Sequence, residues 1–172
     1  MFREKIILTK EECTELIKLC KDYKPSPIYN KNSGVYLKHS RRISEQSKFS
    51  DLEKVKKILL PKLKEYNIWD LPDTTHIIRY NEGSYFKRHK DRGGPFENRK
   101  YTLIIQLSNI EDYEGADLIV HNSKASKQIG NLILFDSGIQ HEVTELTKGK
   151  RYVLVSWITD NEYRNSESQY AI

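Results

Sequence analysis

The segment Tyr101-Thr102-Leu103-Ile104-Ile105-Gln106-Leu107-Ser108 is an apolar, β-branched and aromatic run with charged residues just before it. That is how a buried strand reads. Similar runs flank it: Thr75 to Tyr80, Tyr85 to His89, Asp117 to His121, Asn131 to Phe135, His141 to Leu146 and Arg151 to Ile158. Gly, Asn and Asp separate them, and strands at this spacing predict an all-β sandwich or barrel. No long helical pattern lies between the runs, which argues against a parallel βαβ sheet.

The part before residue 70 reads as helical. Thr9-Lys10-Glu11-Glu12 has the form of a capping box, followed by Cys13, Leu16, Ile17 and Cys20 at helical spacing. Pro25 and Pro27 end that helix. Ser50-Asp51-Leu52-Glu53 predicts a second capping box, opening a helix with Leu52, Val55, Ile58 and Leu59 inward, and Pro61 should kink or stop it. The expected organisation is one domain over 1–172, with a helical support region over 1–70 and a β-core over 75–158. Helices followed by many strands predict two sheets forming a barrel, with the helices packed on one outer face.

The chain has 172 residues, enough to bury roughly two-thirds of its unfolded surface as one domain. With 29 Lys plus Arg against 24 Asp plus Glu, the formal net charge is +5. A surplus this small hints only weakly at an anionic partner. No stretch approaches the ~18 apolar residues of a membrane span. Met1-Phe2-Arg3-Glu4-Lys5 leads into only Ile6-Ile7-Leu8, too short a core for a secretory signal, so no membrane association and a cytoplasmic location are expected. Cys13 and Cys20, about 10 Å apart along a helix, are too distant for a disulfide and are expected as buried thiols.

Chemistry concentrates late in the chain. His89 and Asp91 form His-x-Asp at the end of a strand-like run, and residues two apart on a strand face the same side. His141 opens another run. Two His and one carboxylate make a facial triad suited to non-haem Fe(II). By itself His-x-Asp also describes a surface histidine beside an unrelated Asp. Arg151 follows His141 by ten positions, with a Lys148-Gly149 turn signal between them. A hairpin there is expected to return Arg151 beside the histidine strand. A guanidinium inside a barrel needs an anion, and a dicarboxylate would supply one.

These blocks resemble the 2-oxoglutarate and Fe(II)-dependent dioxygenases of the prolyl 4-hydroxylase-like group. The matching residues are Tyr80-x-x-Gly83-x-Tyr85-x-x-x-His89-x-Asp91, Tyr101 to Ser108, Glu114-Gly115-Ala116-Asp117-Leu118, Gly130 to Ser137, His141-x-Val143, Gly149-x-Arg151 and Trp157. They stand in the family's order over about residues 75 to 158. The resemblance implies a mainly β fold, a double-stranded β-helix (jelly-roll, cupin-like) core with supporting N-terminal α-helices. It implies His89, Asp91 and His141 as iron ligands and Arg151 as the holder of the distal carboxylate of 2-oxoglutarate. Tyr80 would add a hydrogen bond to that cosubstrate, and Trp157 would line the site. Fe(II), 2-oxoglutarate and O2 are the implied cofactors, with ascorbate left open as an addition. Two departures stand out. Gly115-Ala116-Asp117 replaces a Gly-Gly-Glu common in relatives, and Gln106 stands where many carry Tyr, so its amide would have to supply the missing donor.

The implied reaction is hydroxylation of a C–H bond, first of a prolyl residue in a protein or peptide. A nucleic-acid substrate is the second reading, suggested by the net charge and by the basic run Lys38-His39-Ser40-Arg41-Arg42. Against it, AlkB-type demethylases carry a second arginine six positions after the cosubstrate arginine, where this chain has Trp157. A free amino acid or other small molecule, and a catalytically silent metal-binding module, stay open, as does a monomer or homodimer. The bland readings are a packed His76, a turn at His121 and a solvated loop at 38–42. The Gly-rich loop 92–100, directly after Asp91, is a candidate lid.

Overall fold

The computed structural model describes residues 1–30 and 34–165. In chain order the elements are β1 (Phe2–Ile6), α1 (Lys10–Lys18), β2 (Lys24–Pro25), β3 (Ile28–Asn30), β4 (Gly34–Tyr36), β5 (Arg42–Ile43), β6 (Glu45–Lys48) and α2 (Leu52–Leu63). Then come β7 (His76–Tyr80), β8 (Tyr85–His89), β9 (Tyr101–Gln106), β10 (Tyr113–Gly115), β11 (Leu118–Val120), β12 (Ser123–Lys124), β13 (Asn131–Asp136), β14 (His141–Val143), β15 (Leu146–Gly149) and β16 (Arg151–Ile158). A seven-stranded sheet runs β1-β13-β9-β16-β7-β6-β2, and a five-stranded sheet runs β12-β11-β14-β8-β5. β10–β15 and β3–β4 form separate pairs. This is the expected double-stranded β-helix with helices outside.

Period-two alternation builds the two layers. Ile77, Leu103, Ile105, Leu132, Leu134 and Leu154 pack in one cluster with Leu16 of α1 and with Val55, Leu59 and Leu63 of α2. Their neighbours Ile78, Ile104, Ile133, Val153 and Val155 turn the other way and pack against Leu118, Val120 and Val143 of the second sheet. The large sheet is therefore apolar on both faces, which explains why its strands read as continuous apolar runs.

The N-terminal region departs from the helical expectation. β1 pairs with β13, and β6 pairs with β7, so residues before 70 extend both ends of the large sheet. Those strands, FREKI and EQSK, are short and polar because they lie at or near sheet edges. The Thr9 capping box forms as expected, with Glu12 N donating to Thr9 Oγ1 and Thr9 N to Glu12 Oε1. The second cap is Asp51 rather than Ser50, its carboxylate accepting from Lys54 N at 3.1 Å. Ser50 instead gives its amide to the Leu19 carbonyl. Pro61 does not stop α2, which runs on to Leu63. Burial of Val55, Leu59 and Leu63 at i, i+4 and i+8 holds the last turn in place.

The long run expected from His141 to Leu146 is two strands. β14 joins the five-stranded sheet, whereas β15 pairs with β10, and β16 then enters the large sheet. Cys13 and Cys20 are free and buried, as expected. No helix among the described residues is long and apolar enough to cross a membrane.

Candidate metal centre

β8 and β14 are antiparallel neighbours with His89 directly opposite His141, their ring centroids 4.2 Å apart. Asp91 lies just past the end of β8. Its amide and that of Arg92 both donate to the Ser137 carbonyl, at 3.0 and 2.9 Å, which turns the carboxylate back towards the two rings. Asp91 Oδ1 lies 3.3 Å from His89 Nε2, and Oδ2 lies 3.3 Å from His141 Nε2. The three ligand-type atoms fall within 4.8 Å of one another, the one such grouping among the described residues.

The surroundings fix the donors. His89 Nδ1 lies 2.7 Å from the Lys87 carbonyl and His141 Nδ1 lies 3.0 Å from that of Ile139. A carbonyl oxygen only accepts, so each Nδ1 carries the proton and each Nε2 lone pair is bare for a metal. Thr102 Oγ1 donates to Asp91 Oδ2 at 2.7 Å. Phe86 stacks on His89 at 3.5 Å between centroids, and Phe135 meets His141 edge-on. Burial would raise the Asp91 carboxyl, but the His141 and His89 rings outweigh it and hold the group well below the usual carboxylate range. Burial lowers the His89 ring, with Asp91 only partly opposing. Burial acts the same way on His141, but there Asp91 prevails and the ring is raised. The donor set, bare nitrogens and permanent carboxylate charge fit a divalent cation such as Fe(II).

Arg151 reaches the same cavity from the opposite wall. The expected hairpin beside the histidine strand does not form: β16 pairs with β7, placing Arg151 opposite Tyr80 in the large sheet. Gly149, at φ +82, makes the turn that carries the chain from one sheet to the other. Arg151 is 1% exposed. Its Nε donates to Gln106 Oε1 at 3.1 Å, and Nη1 has no partner. The guanidinium carbon lies 5.1 Å from the centre of the Tyr80 ring. A buried guanidinium held by a neutral amide, with no ion pair to it among the described residues, fits one end of a dicarboxylate.

Gln106 has a contact beyond the expected amide donor. It uses its oxygen to orient Arg151, and its Nε2 is buried without a partner. Tyr80 and Trp157 both line the cavity. The cavity is small, about 30 Å³.

Sequence reasoning missed three residues. Tyr113 is buried beside the Arg151 charge with an unpartnered hydroxyl, and that hydroxyl is raised chiefly by burial. A lone Tyr in a charged turn gave no signal. Arg99, from the loop 92–100, donates to the Asp91 carbonyl at 3.1 Å and stacks 3.7 Å from the Trp157 ring. Arg42, read as part of a solvated basic run, is buried and lines the cavity, whereas Lys38, His39, Ser40 and Arg41 are exposed. His76 is buried and packs near Trp157, and His121 sits exposed in a turn with φ +58, as expected.

Residues 75–159 match the model of a family described as the 2OG-Fe(II) oxygenase superfamily. A PKHD-type hydroxylase of Prochlorococcus marinus strain MIT 9515 is 28% identical over 142 residues, covering 78% of this chain and 63% of that protein. The chain spans 63%, 40% and 61% of the first three curated relatives it matches. Among solved structures, a Pseudomonas putida prolyl-4-hydroxylase superposes with a TM-score of 0.63 at 16% identity, over 95% of this chain and 93% of that one. A Trichoplax adhaerens prolyl hydroxylase, in complex with a hypoxia inducible factor peptide fragment, gives 0.70 at 17% identity, over 93% and 84%. At such identities these likenesses concern the fold alone.

Proposed function

We propose that the chain is a hydroxylase of the 2OG-Fe(II) oxygenase superfamily, whose model its residues 75–159 match, and that His89, Asp91 and His141 hold the metal. The superfamily implies Fe(II), 2-oxoglutarate and O2. Together these supply the oxidising power to place a hydroxyl on an unactivated C–H bond. The observation that carries the reading is the convergence of three ligand atoms within 4.8 Å in the same cavity as Arg151, whose Nη1 has no partner.

The chain's own residues bind and orient. Arg151 takes the distal carboxylate of the cosubstrate, held at the right angle by Gln106. Tyr80, 2% exposed on the facing strand, walls the same end. Thr102 keeps the Asp91 carboxylate turned to the two imidazoles. Ile78, Ile104, Leu118, Val143, Val153 and Val155 make the rest of the lining apolar and exclude water from the reacting carbon.

For the substrate we propose a prolyl residue. The support is the likeness to PKHD-type hydroxylases in sequence and to prolyl hydroxylases in fold. Purified protein with Fe(II) should convert 2-oxoglutarate to succinate and give a prolyl product one oxygen atom heavier by mass spectrometry. Succinate release with every prolyl probe left unmodified would remove the prolyl reading and leave the oxygenase. No metal-dependent turnover with any substrate class would favour a silent metal-binding module.

A further inference from the structure

Arg42 stands apart from every other charged residue of the cavity. It sits on β5, opposite Phe86 of the neighbouring β8, and its guanidinium carbon lies 4.4 Å from the centre of the Phe86 ring. Phe86 in turn stacks on His89, so one ring separates the guanidinium from the metal-binding group. The residue is 6% exposed. Its Nε donates to Ser44 Oγ at 2.9 Å and Nη1 to the Pro27 carbonyl at 3.0 Å, while Nη2 is buried with no partner. Both bonds are to neutral groups, and no ion pair to Arg42 forms among the described residues.

An unpaired buried guanidinium is expensive to maintain, and two fixed neutral partners aim it rather than neutralise it. The charges of the loaded site do not remove the problem. Asp91 and the chelating carboxylate of 2-oxoglutarate together match a divalent metal. Arg151 matches the cosubstrate's other carboxylate. Arg42 remains, and Arg99, stacked on Trp157, adds positive charge on the same side as Asp91.

From this geometry we infer that Arg42 Nη2 binds a carboxylate carried by the residue that is hydroxylated, so the substrate is a free amino acid or the last residue of a peptide. The inference rests on the prolyl reading above. The reach sets the class: a charge one ring away from a metal ligand lies within one residue of the reacting carbon. A mid-chain prolyl residue would offer only a neutral carbonyl there, leaving the charge uncompensated. The lowering of the Arg42 guanidinium by burial agrees with a site built to receive an anion.

The test measures binding to full-length protein loaded with Mn(II) and saturating 2-oxoglutarate, by calorimetry or ligand-observed NMR. The probes are L-proline, N-acetyl-glycyl-L-proline and N-acetyl-glycyl-L-prolinamide. Either acid should bind at least about tenfold tighter than the amide, the range of a hydrogen bond to a buried charge. Arg42→Met should erase that preference while Mn(II) and 2-oxoglutarate still bind. L-Proline against the acetylated dipeptide separates the free amino acid from the chain terminus. Equal binding of acid and amide to the wild-type protein overturns the inference and leaves the prolyl reading standing, whether or not the Arg42 variant folds. Binding of no prolyl probe removes both. Failure to bind Mn(II) and 2-oxoglutarate at all removes the oxygenase reading beneath them.

Discussion

Gln106 and Arg151, 45 positions apart in sequence, form one buried unit on neighbouring strands of the large sheet, with Arg151 Nε donating to Gln106 Oε1 at 3.1 Å. The glutamine stands at the position where the resemblance leads one to expect Tyr in many relatives. Its carbonyl oxygen can accept from a guanidinium, and Nε2 is left buried and unpartnered. The glutamine oxygen therefore orients Arg151, while the amide nitrogen expected to help seat the cosubstrate stays available.

Gln106→Leu should weaken 2-oxoglutarate binding by about tenfold, the scale of one hydrogen bond to a charged group. Metal affinity should be unchanged. Arg151→Ala should weaken it further, again with metal still bound. Calorimetric titration of the Mn(II)-loaded proteins checks both, and an unchanged cosubstrate affinity in Arg151→Ala would show that another residue holds the carboxylate.

Thr102→Val keeps the shape of a side chain that is 1% exposed and removes only the hydroxyl donated to Asp91 Oδ2. Loss of such an outer partner typically lowers metal affinity about 10- to 100-fold. Asp91→Asn should lower it more, because the permanent carboxylate charge itself goes. Mn(II) titration should give that order, with circular dichroism reporting retained folding; the reverse order would count against Asp91 as a ligand.

His76 gives a stability prediction away from the metal. Its ring is buried, bonded through Nδ1 to the Thr74 carbonyl, and pushed down from 6.5 to about 4 chiefly by burial. The unfolded chain therefore takes up this proton at a higher pH than the folded one. Stability should fall as pH drops from about 6.5 to about 4, by up to about 3 kcal/mol, and this component should level off below that. Urea unfolding across that window should show a shallower acid dependence in His76→Gln than in the wild type. Parallel curves for the two proteins would show that another group carries the effect.

Gly149→Ala tests the turn that delivers Arg151. At φ +82 an added Cβ would run into the carbonyl oxygen of Asp112, the residue just before the paired strand β10. A strain of about 1–3 kcal/mol is expected for the backbone alone, with the clash in addition. The urea midpoint should fall accordingly, and 2-oxoglutarate should bind more weakly in whatever protein remains folded. A midpoint equal to that of the wild type would mean that the turn readily rearranges.

The runs at Tyr101, Asn131 and Arg151 were readable as buried strands because both their faces meet apolar layers, so most of their positions are apolar. β1 and β6 were not, since they lie towards the sheet's ends and their composition is set by solvent. His89, Asp91 and His141 were readable because metal ligation demands particular residue types at short spacing, and the register of two adjacent strands brings them together. Tyr113, Arg99 and Arg42 were not, because single residues of common type carry no spacing signal.

The sequence by itself determined the fold class, the apolar layering and the identity of the three ligand-type residues, since period-two burial and donor chemistry act locally along the chain. Tertiary structure alone decided which wall Arg151 occupies, that Gln106 serves it, and that one arginine of a solvent-type basic run turns inward. Those outcomes depend on how a chain switching sheets at Gly149 pairs with strands far away, and on burial of Arg42 behind Phe86. No stretch of neighbouring residues encodes either.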